Sequence, residues 1–417
     1  MSMDSKVPKI RFKEFSGAWA EEILGDLVKL ENGFAFQSKY FKKTSTKVIV
    51  LTPGSVNIGG GFQAGKGQYY DEKKEVSPKY VFKPGDMFIT MTDLTPTAQA
   101  LGFPAIIPKD EKTYLHNQRL GKLVGFNGDS AFLYSLLCTM KKQKEVALTS
   151  SGTTVKHTSP DKFLNRICLF PNKEEQTQIG NYFQKLDELI NQHQQKHDKL
   201  SSIKKAMLEK MFPKQGKTIP EIRFKGFSGE WEEKMLGTDI AEIIGGGTPS
   251  TSISEFWDGD IDWYSPTEIG ENVYAEGSQK KITPLGLKSC SAKILPAGNT
   301  VLFTSRAGIG DMAILTKPGS TNQGFQSLIV KGGYSPYFIF SAGKQIKDFA
   351  LKHASGSTFL EISGKQLGRM KILMPSLEEQ TTIGNYFKKL DNLINQYQQQ
   401  ITKLNNLKQA CLSKMFI

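Results

Sequence analysis

The chain has 417 residues, a formal charge of +13 and a pI near 9.3, long enough for two or three domains that each bury a core. Its apolar content of 38% is that of a folded protein, and the basic balance favours a polyanionic partner, nucleic acid before an anionic membrane. No apolar run approaches the roughly 20 residues of a membrane span, and the scattered Cys138, Cys168, Cys290 and Cys411 lack the C-x-x-C spacing of a zinc site or disulfide framework.

The N-terminal Met1-Ser-Met-Asp-Ser-Lys leads into a charged segment without the apolar core of a secretion signal, so a reducing cytoplasm is the expected compartment. Next comes Pro8-Lys-Ile-Arg-Phe-Lys-Glu-Phe-Ser-Gly-Ala-Trp19, then a short charged run and Leu24-Gly25. Lys47-Val-Ile-Val-Leu51 and Met87-Phe-Ile-Thr-Met91 read as buried strands, separated by turns at Gly59-Gly-Gly61 and Lys83-Pro-Gly85. A short helical pattern covers Phe132–Lys142. At Pro171-Asn-Lys-Glu-Glu-Gln the pattern becomes a long helix, running to Phe212. Pro213-Lys-Gln-Gly-Lys-Thr-Ile-Pro220 then breaks it and serves as a linker.

After the linker the same order returns. Pro220-Glu-Ile-Arg-Phe-Lys-Gly-Phe-Ser-Gly-Glu-Trp231 repeats the entry segment and Leu236-Gly237 follows. Thr300-Val-Leu-Phe-Thr304 and Met312-Ala-Ile-Leu-Thr316 read as the counterparts of the two buried strands, with turns at Gly245-Gly-Gly-Thr-Pro249 and Lys317-Pro-Gly319 and a helical pattern over Tyr337–Lys352. Pro375–Phe416 repeats Pro171–Phe212 without a gap, identical at 27 of 42 positions. The expected class is α+β: regions 1–170 and 220–374, helical spacers 171–212 and 375–417, and the linker 213–219.

Between the repeated frames the two regions barely align. Three anchors survive: Pro84-Gly85 with Ala297-Gly298, Asn117-Gln118 with Asn322-Gln323, and Ser151-Gly-Thr153 with Ser355-Gly-Ser357. A duplicated frame around diverged inserts is what a bipartite reader needs.

In the first spacer Ile179, Phe183, Leu186, Ile190, His193, His197, Leu200, Lys204, Met207 and Met211 recur at steps of four and three. In the second, Ile383, Phe387, Leu390, Ile394, Tyr397, Ile401, Leu404, Lys408, Cys411 and Met415 take the same places. That is a heptad seam, the pattern of a two-stranded coiled coil, antiparallel if the halves are related by a pseudo-two-fold axis. Some 38 residues at about 1.5 Å each make a rod about 57 Å long, a ruler longer than one duplex turn of about 34 Å. An ordinary core pair or a homodimer zipper would carry the same seam.

Gly60-Gly-Phe-Gln-Ala-Gly65-Lys66 falls short of a phosphate loop, because Gly67 stands where the magnesium-binding hydroxyl belongs and no helix follows. His193 and His197 have a zinc-compatible spacing but fall on the seam, and Gln194 follows where a metalloprotease has Glu. Neither G-x-S-x-G nor H-E-x-x-H occurs. The Asn-Pro-Pro-aromatic and Asp-Pro-Pro-aromatic motifs of amino-methyltransferases are absent as well. No catalytic residue, metal site or cofactor of its own is expected.

Base reading needs Arg or Lys for guanine, Asn or Gln for adenine, and small hydroxyls. Loop candidates are Thr92, Asp93, Thr95, Gln99, Asn117, Gln118 and Arg119 in the first region, with His116 beside them. In the second they are Thr248, Ser305, Arg306, Asn322 and Gln323. The basic clusters Lys39, Lys42, Lys43 and Lys280, Lys281 suit phosphates.

The pattern Pro-x-x-Glu-Glu-Gln-x-x-Ile-Gly-x-x-Phe-x-x-Leu-Asp, leading to a long helix that ends Lys-Met-Phe, resembles the repeated region of type I restriction–modification specificity subunits. Gly-Gly-Gly-Thr-Pro-Ser at 245–250, followed by Phe256-Trp257-Asp-Gly-Asp-Ile-Asp-Trp263, is similar to the start of that family's target recognition domain. The first region departs from it, with Glu31-Asn-Gly33-Phe-Ala-Phe36 where the Gly-Thr-Pro element would stand. The resemblance implies a non-catalytic subunit reading a split, asymmetric sequence in double-stranded DNA, one half-site per region. It implies two modification subunits bringing S-adenosylmethionine, and two restriction subunits bringing ATP and magnesium. Two other readings stay open at this point: a DNA-acting nuclease or methyltransferase with an unrecognised site, and a coiled-coil adaptor that binds no DNA.

Overall fold

The computed structural model describes residues 6–95, 97–270, 272–356 and 360–417. The N-terminal Met1–Ser5, Pro96 of the first polar loop and Ser357 of the third anchor lie outside them. Two compact units form. One takes the chain up to His193 together with Gln400–Ile417, the other Gln194–Gln399. Each long helix, Lys173–Lys210 and Leu377–Met415, therefore contributes to both.

The helices start two residues inside the repeated motifs, for a local reason. Asn172 Oδ1 accepts the Glu175 amide at 2.9 Å and Ser376 Oγ the Glu379 amide at 3.3 Å, capping amides that have no partner within the helix. Glu174, Glu175, Glu378 and Glu379 in the first turns add the charge the helix dipole favours there. Every seam position is buried or half-buried while most positions between are exposed, as the three-and-four spacing requires.

Within the first unit, Lys408 Nζ meets Asp187 Oδ1 at 2.5 Å and the rings of Phe416 and Phe183 lie 5.8 Å apart. Within the second, Lys204 Nζ meets Asp391 Oδ1 at 2.5 Å and Phe212 lies 6.4 Å from Phe387. In each unit residue numbers rise along one helix as they fall along the other, so the two run antiparallel there.

The inserts share one strand plan that the sequence does not display. In the first unit an antiparallel sheet runs Lys29–Asn32, Leu120–Val124, Met87–Thr90, Pro104–Ile106. The second unit has Ala241–Gly245, Gln326–Val330, Thr300–Phe303, Met312–Leu315 in the same order, with Tyr274–Ala275 added in parallel. A three-stranded sheet also recurs: Gln68–Tyr69, Val48–Val50, Thr113–Leu115 in one, Lys280–Ile282, Trp257–Tyr264, Gly319–Thr321 in the other.

This topology corrects one expected pairing. Thr300–Phe303 does answer Met87–Thr90, but Met312–Leu315 answers Pro104–Ile106, and the counterpart of Val48–Val50 is Trp257–Tyr264. The late helical patterns are also each two helices, Ser130–Leu137 with Met140–Leu148 and Pro336–Ser341 with Gly343–His353. In the first pair the Thr139 side chain caps a new start, accepting from the Lys142 amide, so one helix cannot run through.

The repeated motifs close each unit. Trp19 packs on Phe132 and Phe416, and Trp231 on Phe338 and Phe212, with ring centroids 5.6–6.2 Å apart. The aromatic at the end of the second helix thus completes the first core, and that at the end of the first helix completes the second. Gly180 sits inside a helix at a cost of about 1 kcal/mol relative to Ala. A Cβ there would lie 2.3 Å from Asp129 Oδ1 and 2.9 Å from the Phe132 amide, so the glycine admits the start of helix Ser130–Leu137.

Arg11 donates to both Glu175 oxygens at 2.7 and 2.6 Å, and Arg223 to both Glu379 oxygens at the same distances. Both carboxylates are buried. The Ile10 amide donates to Lys414 O and the Ile222 amide to Lys210 O, each at 3.0 Å. Each entry segment therefore ties the start of one long helix to the end of the other. Gln176 and Gln380 complete the motif, their Oε1 atoms accepting the Asp129 and Ser335 amides at the helices of the inserts. Among the described residues no helix is long and apolar enough to cross a membrane.

Candidate nucleic-acid interface

The candidate loops of each unit gather at the connections between the two sheets. In the first, the Met91 amide donates to Arg119 O at 2.9 Å and Thr92–Asp93 pairs with Lys156–His157. The Gln118 amide donates to Phe34 O, and the Phe34 amide to His116 O at 2.8 Å. Gln99, Gln118 and Arg119 are exposed, whereas Thr92, Thr95 and Asn117 are half-buried. Asn117 Oδ1 accepts the Arg119 amide at 2.9 Å, bending the turn that presents its neighbours.

Two expectations change here. Asp93 is buried, and its carboxylate accepts the Thr95 and Ala100 amides at 2.8 and 2.6 Å. It holds the loop in shape, together with Ala98 at φ 53°, rather than facing a ligand. His116 is buried too, its ring 4.7 Å from that of Phe82 and tilted by 39° to it, with Nε2 3.0 Å from Leu120 O. Burial holds its imidazole below the ordinary pKa.

The second unit repeats the arrangement with other residues. The Ser305 amide donates to Gly324 O at 2.8 Å, Arg306 bridges Glu361, and the Thr248 hydroxyl donates to Gln323 Oε1. Asn322 Oδ1 accepts the Gly324 amide at 2.7 Å. Thr304 and Ala307 (φ 53°) shape this loop as Thr90 and Ala98 shape the first. Ser305 is fully buried, which leaves Arg306, Gln323, Thr248 and Asn322 as the accessible candidates of this loop cluster. Arg306 has a carboxylate neighbour, Glu361 Oε2 at 3.9 Å.

The three sequence anchors mark equivalent structural points. Gly85 and Gly298 both adopt positive φ, and their amides donate to Ile107 O and Leu315 O. Ser151 pairs with His157 as Ser355 pairs with Glu361. Gly33 does the work of Gly246: a Cβ would come 2.2 Å from Asn117 O in one unit and 2.0 Å from Asn322 O in the other. The next residue is Phe34 in the first unit and Gly247 in the second, their amides donating to His116 O and Thr321 O.

The basic clusters also fall at equivalent edges. Lys42 hydrogen-bonds through its amide to Tyr69 O on the edge strand Gln68–Tyr69, and Lys280 and Lys281 lie on Lys280–Ile282. Lys39 and Lys43 are exposed; Lys42 Nζ is 2.8 Å from Asp71, Lys281 Nζ 3.7 Å from Asp262, and Lys280 Nζ lies 5.8 Å over the Trp257 ring. The exposed Phe34, Lys74 and Lys79 and the half-buried Lys156 belong to no base- or phosphate-reading pattern in the sequence. Only Phe34 left a signal, as the residue that breaks the Gly-Thr-Pro pattern.

Among the described residues no cluster of three or more His, Cys, Asp or Glu side chains is placed to hold a metal ion. His197 Nδ1 instead faces Asp198 Oδ1 at 3.0 Å.

The model of the type I restriction modification DNA specificity domain matches residues 17–202 and 228–406. The type I restriction enzyme MjaIX specificity subunit of Methanocaldococcus jannaschii is 37% identical over 193 residues, 45% of this chain and 44% of that protein. The EcoR124I/EcoR124II specificity subunit of Escherichia coli is 34% identical over 176 residues, 40% of this chain and 42% of that protein. The chain thus spans less than half the length of these two curated relatives. In fold it is similar to the crystal structure of a type I restriction–modification S subunit from M. genitalium, with a TM-score of 0.68, 16% identity and 99% of both chains covered.

Proposed function

The chain belongs to the type I restriction modification DNA specificity family, and on that premise we propose that it is the sequence-reading subunit of a restriction–modification complex. It binds double-stranded DNA at a split, asymmetric target, one half-site for each unit. Thr92, Thr95, Gln99, Asn117, Gln118 and Arg119 serve the first half-site; Thr248, Arg306, Asn322 and Gln323 serve the second. Lys39, Lys42, Lys43, Lys280 and Lys281 hold phosphates, giving affinity without sequence information. Regions 1–170 and 220–374 are the readers. The spacers 171–212 and 375–417, joined through 213–219, act as an antiparallel coiled coil that sets the half-site spacing. They also present duplicated faces to two modification and two restriction subunits. The chemistry belongs to those partners, with S-adenosylmethionine, ATP and magnesium, in the cytoplasm.

The observation that carries this reading is the repetition of one strand order with different residues at the loop tips. A duplicated scaffold with diverged loops recognises two different things in the same way. Methylome sequencing of cells with and without the chain tests it. The expected result is a split, adenine-methylated motif that disappears on deletion; an unchanged methylome overturns the proposal.

A further inference from the structure

We infer that Phe34 makes the apolar contact to the bases of the first half-site, flanked by lysines that grip the phosphates on either side. This rests on the DNA-reading function proposed above and names a specificity residue for it.

Phe34 is 44% exposed, unusual for a Phe whose backbone is held on both sides, by the Phe34 amide to His116 O and the Gln118 amide to Phe34 O. Its ring stands edge-on to Phe36 at 5.3 Å and lies 5.1 Å from Tyr80. Phe36, Tyr40 and Phe41 in turn pack on the buried Tyr70. The exposed ring is therefore braced by a cluster of aromatics, and its backbone pairs with the Asn117–Gln118 segment. Around it the cations lie on aromatic faces: Lys79 over Tyr80 at 5.8 Å, Lys39 and Lys74 over Tyr40 at 5.0 and 5.3 Å. All three lysines are exposed.

The second unit fills the equivalent position differently. Gly247 is buried there, and a Cβ would meet Ser291 Oγ at 2.6 Å and the Ala292 amide at 2.7 Å. The same backbone site is sealed in one unit and carries an open, braced ring in the other. A rigid apolar surface, with the Asn117–Gln118 segment paired to its backbone and a cationic fringe around it, fits a duplex: the ring meets a thymine methyl or a base step, the amides meet base edges, the lysines meet phosphates. Continuity with the Asn117–Arg119 loop favours DNA over an anionic lipid surface, which would use the lysines and the ring but not the amides.

The test uses the full chain and the duplex it selects from a randomised double-stranded pool. Phe34→Ala is expected to weaken that duplex about tenfold. It broadens base preference in one half-site only, leaving the other half-site and the thermal melt as in the parent. Phe34→Leu keeps most of the affinity. Lys39→Gln with Lys79→Gln weakens all duplexes alike and lowers the log–log salt slope by about two. Unchanged affinity and base preference in Phe34→Ala overturn the inference while the DNA-reading function stands. If Phe34→Ala loses its native melt, the lysine pair decides: an unchanged salt slope overturns the inference. Tighter binding to phosphatidylserine vesicles than to the selected duplex, lost in Phe34→Ala, also overturns it. Failure of the parent chain to select any sequence overturns the reading function itself, and this inference with it.

Discussion

In the first unit Trp19 lies on Phe132 and Phe416, Arg11 clasps Glu175, and Phe34 stands open; in the second Trp231 lies on Phe338 and Phe212, Arg223 clasps Glu379, and Gly247 is sealed. The indole, clamp and glutamine contacts that tie an insert to the helices recur in both units, while those at the loop tips do not. The difference follows from what each contact must do. A buried bidentate ion pair or a close-packed indole tolerates little change, because leaving its partner unpaired or opening a cavity costs several kcal/mol. A solvated loop tip answers only to its ligand. Near-identity in the spacers beside diverged inserts is then the expected record of two readers on one frame.

The largest effects break the frame, and they cross between helices. Phe416→Ala removes an aromatic from the core of the first unit and is expected to destabilise that unit by about 3–5 kcal/mol. Phe212→Ala does the same to the second, although it follows directly on the end of the first long helix. Native-state hydrogen exchange read unit by unit checks this; loss of protection in the other unit instead contradicts the assignment of helix ends.

The clamp comes next. Glu175→Gln leaves the half-buried Arg11 guanidinium without its counter-charge, at a cost of about 3 kcal/mol to the first unit. Arg11→Met combined with Glu175→Leu is expected to recover most of that, because the pair is then replaced by apolar packing. Denaturant midpoints of the single and double variants measure it, and Glu379→Gln with Arg223→Met and Glu379→Leu repeats the test in the second unit. A single variant as stable as the parent would mean that the clamp only decorates the entry segment.

A smaller effect separates the units by pH. The first unit buries His116 in its neutral form, with its pKa lowered by burial, where the second has Thr321. In the unfolded chain the imidazole takes up a proton below about 6.5. The unfolded state therefore binds more protons as the pH drops through 6.5 towards the lowered folded value. Stability is lost on acidification over that window and is fully present above it. His116→Thr is expected to flatten the first unit's melting temperature between pH 7 and 5 relative to the parent. An identical pH profile in the two proteins would exclude His116 as the source.

Much of this plan can be read in the amino-acid order. The repeats give the frame, the three-and-four spacing gives the helix faces, and Asn117-Gln118 with Asn322-Gln323 marks the candidate loops in both inserts. The strand order could not be read, because strands as short as Val48–Val50 find their partners far along the chain, and local pattern carries no information about which partner. Asp93 and Ser305 look like loop contacts in the sequence for a related reason: a polar residue between turn residues looks solvated whether it faces water or folds back to hold its own loop. Phe34 is the converse, an aromatic that pattern alone would bury.

One half-site per unit is tested most directly by exchanging residues 220–374 for the corresponding region of another specificity subunit and selecting duplexes with the chimera. The expected result is a target with one half replaced and the other half and the spacing unchanged. A target unchanged throughout, or altered in both halves, would contradict it.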